Sequence, residues 1–500
     1  MRYILSIDQG TTGSRAYIFD ESGRIISSAY KEIRQIYPLV RDSGGGWVEH
    51  NPDEIWRSVE FVTKEALLQK NIEPANIAAI GITNQRETTI LWDRKTGRPV
   101  HNAIVWQCRR TAGICDRLKK DGYSKLFQKK TGLVIDAYFS GTKIKWLLDN
   151  VKGLRERAEA GEICFGTVDT WLIWKLTGSK VHATDYTNAS RTLIFNLKEK
   201  KWDDELLKIL KIPKEILPEV GASSSIFGET ARNARGLIPG IPIAAVAGDQ
   251  QAALFGQGCF EAGEMKNTYG TGCFLLLNTG KKFTASDKGL LTTLACDMYG
   301  KPCYAQEGAV FIAGAAVQWL RDELKIIKTA AETEELAKKV GDTGGVYFVP
   351  AFVGLGAPYW DSRARGTLTG ITRGTSRLHI IRAALEAIAY QVKDIVDIME
   401  KGTGNRLKSL RVDGGACRNN FLMQFQADML GVKIIRPAIT ETTAKGAAML
   451  AGLAVGFWKT ADELKKTLAI EKTFFPHIND KTRSTLYAGW LGAIRKARSL

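Results

Sequence analysis

A chain of 500 residues, 44% of them hydrophobic and 25% charged, is long and apolar enough for two or three packed domains, which excludes an intrinsically disordered protein. The formal net charge of +17 raises nucleic acid, an anionic membrane or an anionic small ligand as partners. Basic and acidic residues alternate, as in residues 198–205, and RNP-like motifs and zinc-finger spacings are missing. We therefore expect no nucleic-acid binding, since a cleft for a polyanionic nucleotide explains the charge equally well.

The first residues predict a β-hairpin that opens on hydroxyl groups. Residues 3–7 form an apolar run, residues 9–14 form a Gly/Thr turn, and residues 16–19 form a second apolar run. Such a turn presents backbone N–H groups and hydroxyls to a phosphate without obstructing side chains. An ordinary hairpin turn is the alternative, and for one Gly/Thr turn alone it is the better interpretation.

A helix and a second strand are predicted next. Asn51 is the expected N-cap, Pro52 takes the first helical position and Glu54 stands in capping-box position, ahead of an apolar face over residues 55–66. Residues 77–82 predict a buried strand that runs into the polar residues 83–89 at its end. Ligand sites form at such strand ends.

The same theme recurs later in the chain. Residues 243–247 predict another buried strand that leads to Asp249, and a second Gly/Thr turn at residues 270–272 precedes a strand at 274–277. Residues 410–415 and a helix from Asn420 follow the same pattern. Two halves of similar plan are predicted, with the boundary near residue 250, so that the domains span residues 1–250 and 251–500.

Acidic residues at the strand ends predict phosphoryl transfer. The chain has no Walker loop and no protein-kinase signature. Asp8 beside a phosphate turn is explained by a hydrated Mg²⁺ between its carboxylate and the phosphate, or more simply by capping of the turn. Asp249 can accept the proton of an acceptor hydroxyl as the general base, with Gln250 orienting the same substrate.

Six segments resemble the FGGY family of carbohydrate kinases, in its glycerol-phosphorylating branch, within the actin, hexokinase and Hsp70 ATPase superfamily. They are residues 8–12, 84–89, 106–110, 136–140, 248–251 and 269–274. The resemblance implies an α/β fold of two RNase H-like, actin-like ATPase domains, with mixed sheets flanked by helices around a central cleft. It also implies that ATP phosphorylates glycerol to glycerol 3-phosphate with Mg²⁺ as cofactor.

The resemblance assigns residues to an acceptor site, a nucleotide site and a metal site. The acceptor site would use Arg86, Glu87, Trp106, Tyr138, Asp249, Gln250 and Phe274. The nucleotide site would use Thr11, Thr12, Gly13, Arg15, Thr271, Gly314, Gln318, Gly415 and Asn419, and the metal would lie at Asp8 and Asp249. Carboxylates, arginine and tyrosine suit adjacent hydroxyls, while aromatic faces cover carbon and exclude water.

Alternatives remain at this stage. A kinase for another polyol or sugar, such as xylulose, would share the fold and the ATP segments. An actin-like filament protein or an Hsp70-type ATPase would instead use closure of the cleft to control binding partners, without phosphate transfer to a sugar alcohol. Gly13 stands where many family members have serine, which removes one hydroxyl from the phosphate turn. The loop at residues 231–239 lacks the paired glycines of members inhibited by a sugar bisphosphate, and no histidine lies between residues 221 and 248 for activation by phosphorylation.

Scattered cysteines and the lack of long apolar runs predict the location of the protein. The 8 cysteines show no CxxC pair, which is typical of free thiols in a reducing compartment. No apolar stretch reaches the ~18 residues of a membrane span, and the early first strand leaves no room for a signal peptide. We expect a cytoplasmic protein with no stable membrane insertion, and the family resemblance implies a homo-oligomer, a dimer or a tetramer.

Overall fold

A computed structural model describes residues 1–38, 46–232, 234–285, 289–361, 363–404 and 406–498. Asn233, in the loop compared above with the sugar-bisphosphate loop, lies outside the described residues.

The strands carry the two main sheets and several short pairs. In chain order they are β1 Tyr3–Gln9, β2 Gly13–Phe19, β3 Ile25–Glu32, β4 Glu49–His50, β5 Ile77–Asn84, β6 Ile90–Asp93, β7 Ala103–Ile104, β8 Ile163–Gly166, β9 Ala183–Asp185, β10 Phe195–Asn196, β11 Lys201–Trp202, β12 Glu219–Gly221, β13 Ile243–Gly248, β14 Met265–Tyr269, β15 Cys273–Gly280, β16 Leu291–Cys296, β17 Pro302–Val310, β18 Tyr347–Val349, β19 Thr367–Thr369, β20 Ser409–Asp413, β21 Lys433–Pro437 and β22 Ile470–Phe474.

The helices flank these sheets. They are α1 Pro52–Leu68, α2 Ala112–Lys120, α3 Ser124–Thr131, α4 Ser140–Asn150, α5 Leu154–Glu159, α6 Val168–Leu176, α7 Tyr186–Ala189, α8 Asp204–Leu210, α9 Asp249–Gly256, α10 Gly314–Asp322, α11 Glu332–Lys338, α12 Arg377–Thr403, α13 Asn420–Leu430, α14 Thr442–Ala454, α15 Ala461–Lys466 and α16 Asp480–Ala497. Short 3-10 turns lie at Pro74–Asn76, Lys214–Ile216 and Gly415–Arg418.

The two main sheets share one plan. The first is five-stranded in the order β13-β5-β1-β2-β3, with an antiparallel β1-β2-β3 unit and parallel β1-β5 and β5-β13 pairs. The second is seven-stranded in the order β16-β17-β15-β14-β20-β21-β22, and its β14-β15-β17 unit and parallel β14-β20-β21 strands repeat the plan. The predicted repetition and the predicted mixed α/β fold are confirmed.

Alternation along the strands decides which helices cover each face of the first sheet. Leu5 and Ile7 share a buried cluster with the apolar face of α1, whereas Ile4, the neighbour of Leu5, belongs to a cluster with α14. Successive strand residues point to opposite faces, so an uninterrupted apolar run requires helices on both sides.

The start of α1 departs in one detail from the expected capping box. Asn51 is the N-cap, as predicted, and its side chain accepts hydrogen bonds from the N–H groups of Asp53 and Glu54. The prediction for the Glu54 side chain was wrong, because its Oε1 accepts from the N–H of Arg34 at 2.8 Å instead. The carboxylate therefore ties the helix start to the segment after β3.

Helices α9 and α14 cross at close range between the two sheets. A Cβ on Gly446 would lie 1.9 Å from the carbonyl oxygen of Ala252, and one on Gly256 would lie 2.0 Å from that of Thr442. Leu254 of α9 packs with Leu276 of the second sheet, whereas α14 packs on the first sheet. These two helices thus bring the two halves of the chain into contact.

Within the described ranges, no helix has both the length and the apolar composition that crossing a membrane requires. The eight cysteines are all free and buried.

Candidate active site

The carboxyl ends of three neighbouring parallel strands meet at one edge of the first sheet. Gln9 of β1 and Gly248 of β13 both pair with Asn84 of β5. Asp8 therefore lies beside this row, and Asp249 follows it directly. The polar residues at these strand ends therefore lie side by side at one edge of the sheet.

Asp249 is the first residue of α9, and one of its oxygens is fixed by the protein. Its Oδ1 accepts from the N–H of Gln250 at 2.7 Å and lies 3.1 Å from Nε of Arg86. Among the described residues, none donates a hydrogen bond to Oδ2. Because the side chain is 33% exposed, this second oxygen can meet a substrate.

Arg86 and Glu87 belong to a buried group of alternating charges. Its other two members, Arg191 and Glu307, were not predicted from the sequence. Glu87 Oε1 accepts from Nε of Arg191 at 2.7 Å, and Nη1 of Arg86 lies 2.5 Å from Glu307 Oε2. Nη2 of Arg191 donates to Glu307 Oε1 at 2.9 Å. Burial alone would raise the pKa of Glu307, but the two arginines outweigh it and lower this pKa to about 2. The Glu307 carboxylate is therefore ionised.

The backbone of Glu87 is held in an uncommon conformation. Its φ of 61° lies in the left-handed region, which costs a non-glycine residue free energy. The Glu87 carbonyl accepts from Oγ of Ser140 at 3.1 Å and from Nζ of Lys143 at 3.2 Å. Nζ of Lys143 also donates to the carbonyl of Tyr138 at 2.5 Å. Lys143, which the sequence analysis missed, thus joins two segments of the predicted acceptor site.

Aromatic rings form one wall of the predicted acceptor site. The rings of Trp106 and Tyr138 meet edge to face, with centroids 5.5 Å apart. Nε1 of Trp106 donates to Oγ1 of Thr11 at 2.9 Å, so this wall also touches the turn that is predicted to bind phosphate. Burial, followed by the Glu87 charge, raises the pKa of Tyr138, which keeps its hydroxyl protonated as a donor.

Gln250 and Phe274 are connected through a buried lysine. Nζ of Lys266 donates to Oε1 of Gln250, to Oγ1 of Thr268 at 2.8 Å and to the carbonyl of Phe274 at 3.2 Å. Burial lowers the pKa of Lys266 from its ordinary value. The strand β14 of the second sheet therefore supports two residues of the predicted acceptor site, Gln250 and Phe274.

Asp8 and Asp249 offer oxygen ligands for a divalent cation. Burial raises the pKa of Asp8 to about 6; the nearby Asp249 adds to the rise and Arg15, 4.0 Å away, opposes it. Mutual repulsion of two carboxylates is relieved by a cation between them. No cluster of three or more acidic, histidine or cysteine ligands occurs in the described part of the chain. A pair of carboxylates that shares the ion with substrate phosphate fits this donor set.

A buried polar network supports the predicted phosphate turn, residues 9–14, from behind. Nε2 of Gln85 donates to Oε1 of Gln9 at 3.0 Å and lies 3.3 Å from Nδ1 of His50. Nε2 of His50 lies 2.8 Å from Oε1 of Gln35, whose Nε2 donates to the carbonyl of Thr11 at 2.8 Å. Burial lowers the pKa of His50 to about 4, so the ring is neutral at physiological pH. The exposed Thr12 completes the turn through its carbonyl, which accepts from Ile33.

The backbone at Gly13 leaves no room for a side chain. A Cβ there would lie 2.5 Å from the carbonyl oxygen of Lys31 and 2.6 Å from the Tyr30 ring. Arg15 also packs over that ring, with its Cζ 5.0 Å from the centroid.

Three glycine turns of the second half approach one another. The N–H of Gly314 donates to the carbonyl of Gly270 at 3.0 Å, and a Cβ on Gly314 would lie 2.6 Å from that oxygen. A Cβ on Gly414, whose φ is 84°, would lie 2.5 Å from the carbonyl of Tyr269. The predicted nucleotide residues Thr271, Gly314 and Gly415 therefore belong to turns that meet at the end of β14.

The side chains of two further residues of the predicted nucleotide site, Asn419 and Gln318, make no described hydrogen bond with the turns at the end of β14. Asn419 is the N-cap of α13; its Oδ1 accepts from Leu422 and its Nδ2 donates to Thr333, so its side-chain amide is occupied by the protein. Gln318 is exposed and lies four residues after Gly314 on the same face of α10. No hydrogen bond described here joins Gln318 to another predicted nucleotide residue.

Comparisons with known proteins agree with this geometry. The pattern described as "FGGY family of carbohydrate kinases, N-terminal domain" matches residues 3–256, and its C-terminal counterpart matches residues 265–455. Glycerol kinase 2 of Thermotoga maritima is 62% identical over 497 residues, which cover 99% of each chain.

Solved structures show the same fold. The crystal structure of Plasmodium falciparum glycerol kinase with ADP is 38% identical, with a TM-score of 0.95 over 100% of this chain and 99% of that one. A ligand-bound xylulose kinase from Lactobacillus acidophilus matches with a TM-score of 0.87 at 24% identity over 99% and 97% of the two chains, which shows the fold alone. The chain therefore belongs to the FGGY family of carbohydrate kinases.

Proposed function

We propose that the chain transfers the γ-phosphoryl group of ATP to glycerol and releases glycerol 3-phosphate and ADP. The observation that carries this proposal is that Arg86 lies between the carboxylates of Glu87 and Asp249, beside the aromatic wall formed by Trp106 and Tyr138. This set offers donors and acceptors to adjacent hydroxyls and an apolar face to the carbon chain. The likeness to proteins named glycerol kinase gives it further support.

Asp249 acts as the general base in this proposal. Because Oδ1 is occupied by Gln250 and Arg86, Oδ2 is the oxygen that accepts the proton of the attacking hydroxyl. Glu87 accepts from a second hydroxyl, Arg86 and Tyr138 donate, Gln250 orients the acceptor, and Trp106 and Phe274 pack on its carbon atoms. Fixing the acceptor in line with the phosphate supplies most of the expected rate enhancement.

The nucleotide occupies the turns at the ends of β1 and β14 in this proposal. Phosphates meet the N–H groups and hydroxyls of Thr11, Thr12 and Gly13 with Arg15 nearby, and Thr271 contacts them from the other side. Gly314, Gln318, Gly415 and Asn419 lie on the adenosine side. Mg²⁺ held by Asp8 and Asp249 would neutralise the phosphate charge. Asp8 must be ionised for that role, which the positive ion favours.

An acceptor panel tests the substrate. ADP release by the purified chain with ATP and Mg²⁺ is measured with glycerol, xylulose, gluconate or no acceptor. We expect turnover with glycerol and a kcat/KM for the other acceptors that is lower by up to ~10⁴-fold, because a longer chain cannot bring its hydroxyls onto the polar groups that match three adjacent hydroxyls and leaves some of these groups unpaired. Equal turnover without an acceptor would favour an ATPase, and a preference for xylulose would favour the competing kinase.

A further inference from the structure

Glu307 reaches the acceptor site from the second sheet. It lies on β17, where it is opposite Leu276 of β15 and Leu291 of β16, in a strand of otherwise apolar and neutral polar residues. A carboxylate buried there is costly unless both oxygens are paired. Only 4% of the side chain is exposed, and each oxygen lies against a different arginine of the first half.

The two arginines held by Glu307 in turn hold two carboxylates of the proposed acceptor site. Arg86 contacts Asp249, and Arg191 donates to Glu87. Arg86 and Arg191 also repel each other, since the positive charge of Arg86 acts to lower the pKa of Arg191. Without the carboxylate between them, the guanidinium groups would separate and carry Asp249 and Glu87 away from their positions.

We propose that Glu307 is a positioning residue for phosphoryl acceptance, so that the orientation of the acceptor site depends on a strand of the opposite sheet. This inference rests on the proposed function. Glu307 contacts the reacting groups only through Arg86 and Arg191. It therefore controls acceptor affinity and selectivity, while nucleotide binding at the end of β14 is independent of it.

A purely structural ion pair is the competing explanation, because replacing one partner of a buried pair often affects only stability. The distinguishing measurement is the KM for glycerol compared with the KM for ATP in Glu307→Gln. We expect the glycerol KM to rise at least ~10-fold, as for loss of a charged hydrogen bond, and the ATP KM to change less than about twofold. The preference for glycerol over propane-1,2-diol falls as well, since the polar set that rejects the diol is no longer fixed.

Two further variants complete the experiment. Glu307→Asp keeps the charge and should recover part of the glycerol affinity and selectivity that Glu307→Gln loses. Glu386→Gln is the matched control, because Glu386 is also buried and paired to an arginine, Arg382 at 2.8 Å, on α12. It should lower the thermal midpoint without changing either KM. If Glu307→Gln does not fold, Glu307→Asp carries the test by its own glycerol KM, which must exceed that of the parent.

The outcomes separate the two claims. A parent that does not phosphorylate glycerol overturns the proposed function. A parent that does so, with unchanged glycerol KM and unchanged selectivity in folded Glu307→Gln and Glu307→Asp, overturns the positioning role alone. A raised glycerol KM in Glu386→Gln would also contradict the positioning role of Glu307, because the loss of glycerol affinity would then not be specific to the acceptor site.

Discussion

At the scale of the single residue, the buried Lys143 holds two backbone segments of the proposed acceptor site together. Burial lowers its pKa to about 8, so the interior of the protein disfavours its charge. Its ammonium nevertheless holds the carbonyls of Glu87 and Tyr138, which belong to separate segments of the proposed acceptor site. The left-handed backbone of Glu87 requires such support.

We expect Lys143→Met to weaken glycerol binding. Methionine fills similar space but donates no hydrogen bond, so the Glu87 backbone relaxes and its carboxylate moves. The glycerol KM should rise about 10-fold, as for loss of one or two hydrogen bonds to a charged donor. Steady-state kinetics with varied glycerol at saturating ATP measure this change.

The control for this prediction is Lys445→Met. Lys445 is also buried, burial lowers its pKa to about 8 as well, and its Nζ donates to the carbonyl of Thr467 away from the acceptor site. This variant should lose stability and keep the parent's glycerol KM. Equal glycerol KM values in the two variants would contradict the role assigned to Lys143.

The sequence allowed some residues of the site to be predicted and concealed others. Asp249, Arg86 and Trp106 stand in recognisable segments at strand ends. Arg191 and Glu307 have partners more than a hundred residues away, so local patterns do not reveal their pairing. A charged residue inside the buried strand β17 was the only signal for Glu307.

At the scale of elements, the crossing of α9 and α14 determines how the two halves meet. Gly446→Ala should destabilise the protein by ~1–3 kcal/mol, because a Cβ only 1.9 Å from the Ala252 carbonyl forces these helices apart. The thermal midpoint measures the loss. Since Asp249 is the first residue of α9, glycerol-dependent activity should fall together with the stability of Gly446→Ala.

A second helical glycine provides the comparison. Gly113 lies in α2, and a Cβ there would meet no atom within 4 Å. Gly113→Ala should leave stability unchanged or raise it by up to ~1 kcal/mol through helix propensity. If Gly446→Ala behaved like Gly113→Ala, close approach would not limit the packing of α9 against α14.

Most elements near the site could be predicted from apolar runs and turn residues. The strands β1, β5 and β13, the helix start at Asn51 and the turn at Gly270 all lie where the sequence placed them. The position of α14 could not be predicted, because nearly every residue from Thr442 to Gly452 is buried and no apolar stripe shows which sheet it covers.

At the scale of the whole molecule, the two similar halves are joined by side chains as well as by helices. Glu307 and Lys266 extend from the second sheet to residues of the first half or of α9. The domain boundary near residue 250 and a homo-oligomer stay predictions. The location in a reducing compartment also stays a prediction.

In the proposed reaction, the Asp249 carboxylate accepts the proton of the glycerol hydroxyl. The most direct test compares the parent with Asp249→Asn in single-turnover formation of glycerol 3-phosphate, after calorimetry has shown that the variant still binds glycerol and ATP. We expect a loss of at least ~10² in the rate of the chemical step, as expected when general-base catalysis is removed. An unchanged rate in Asp249→Asn would contradict the role of Asp249 as the general base.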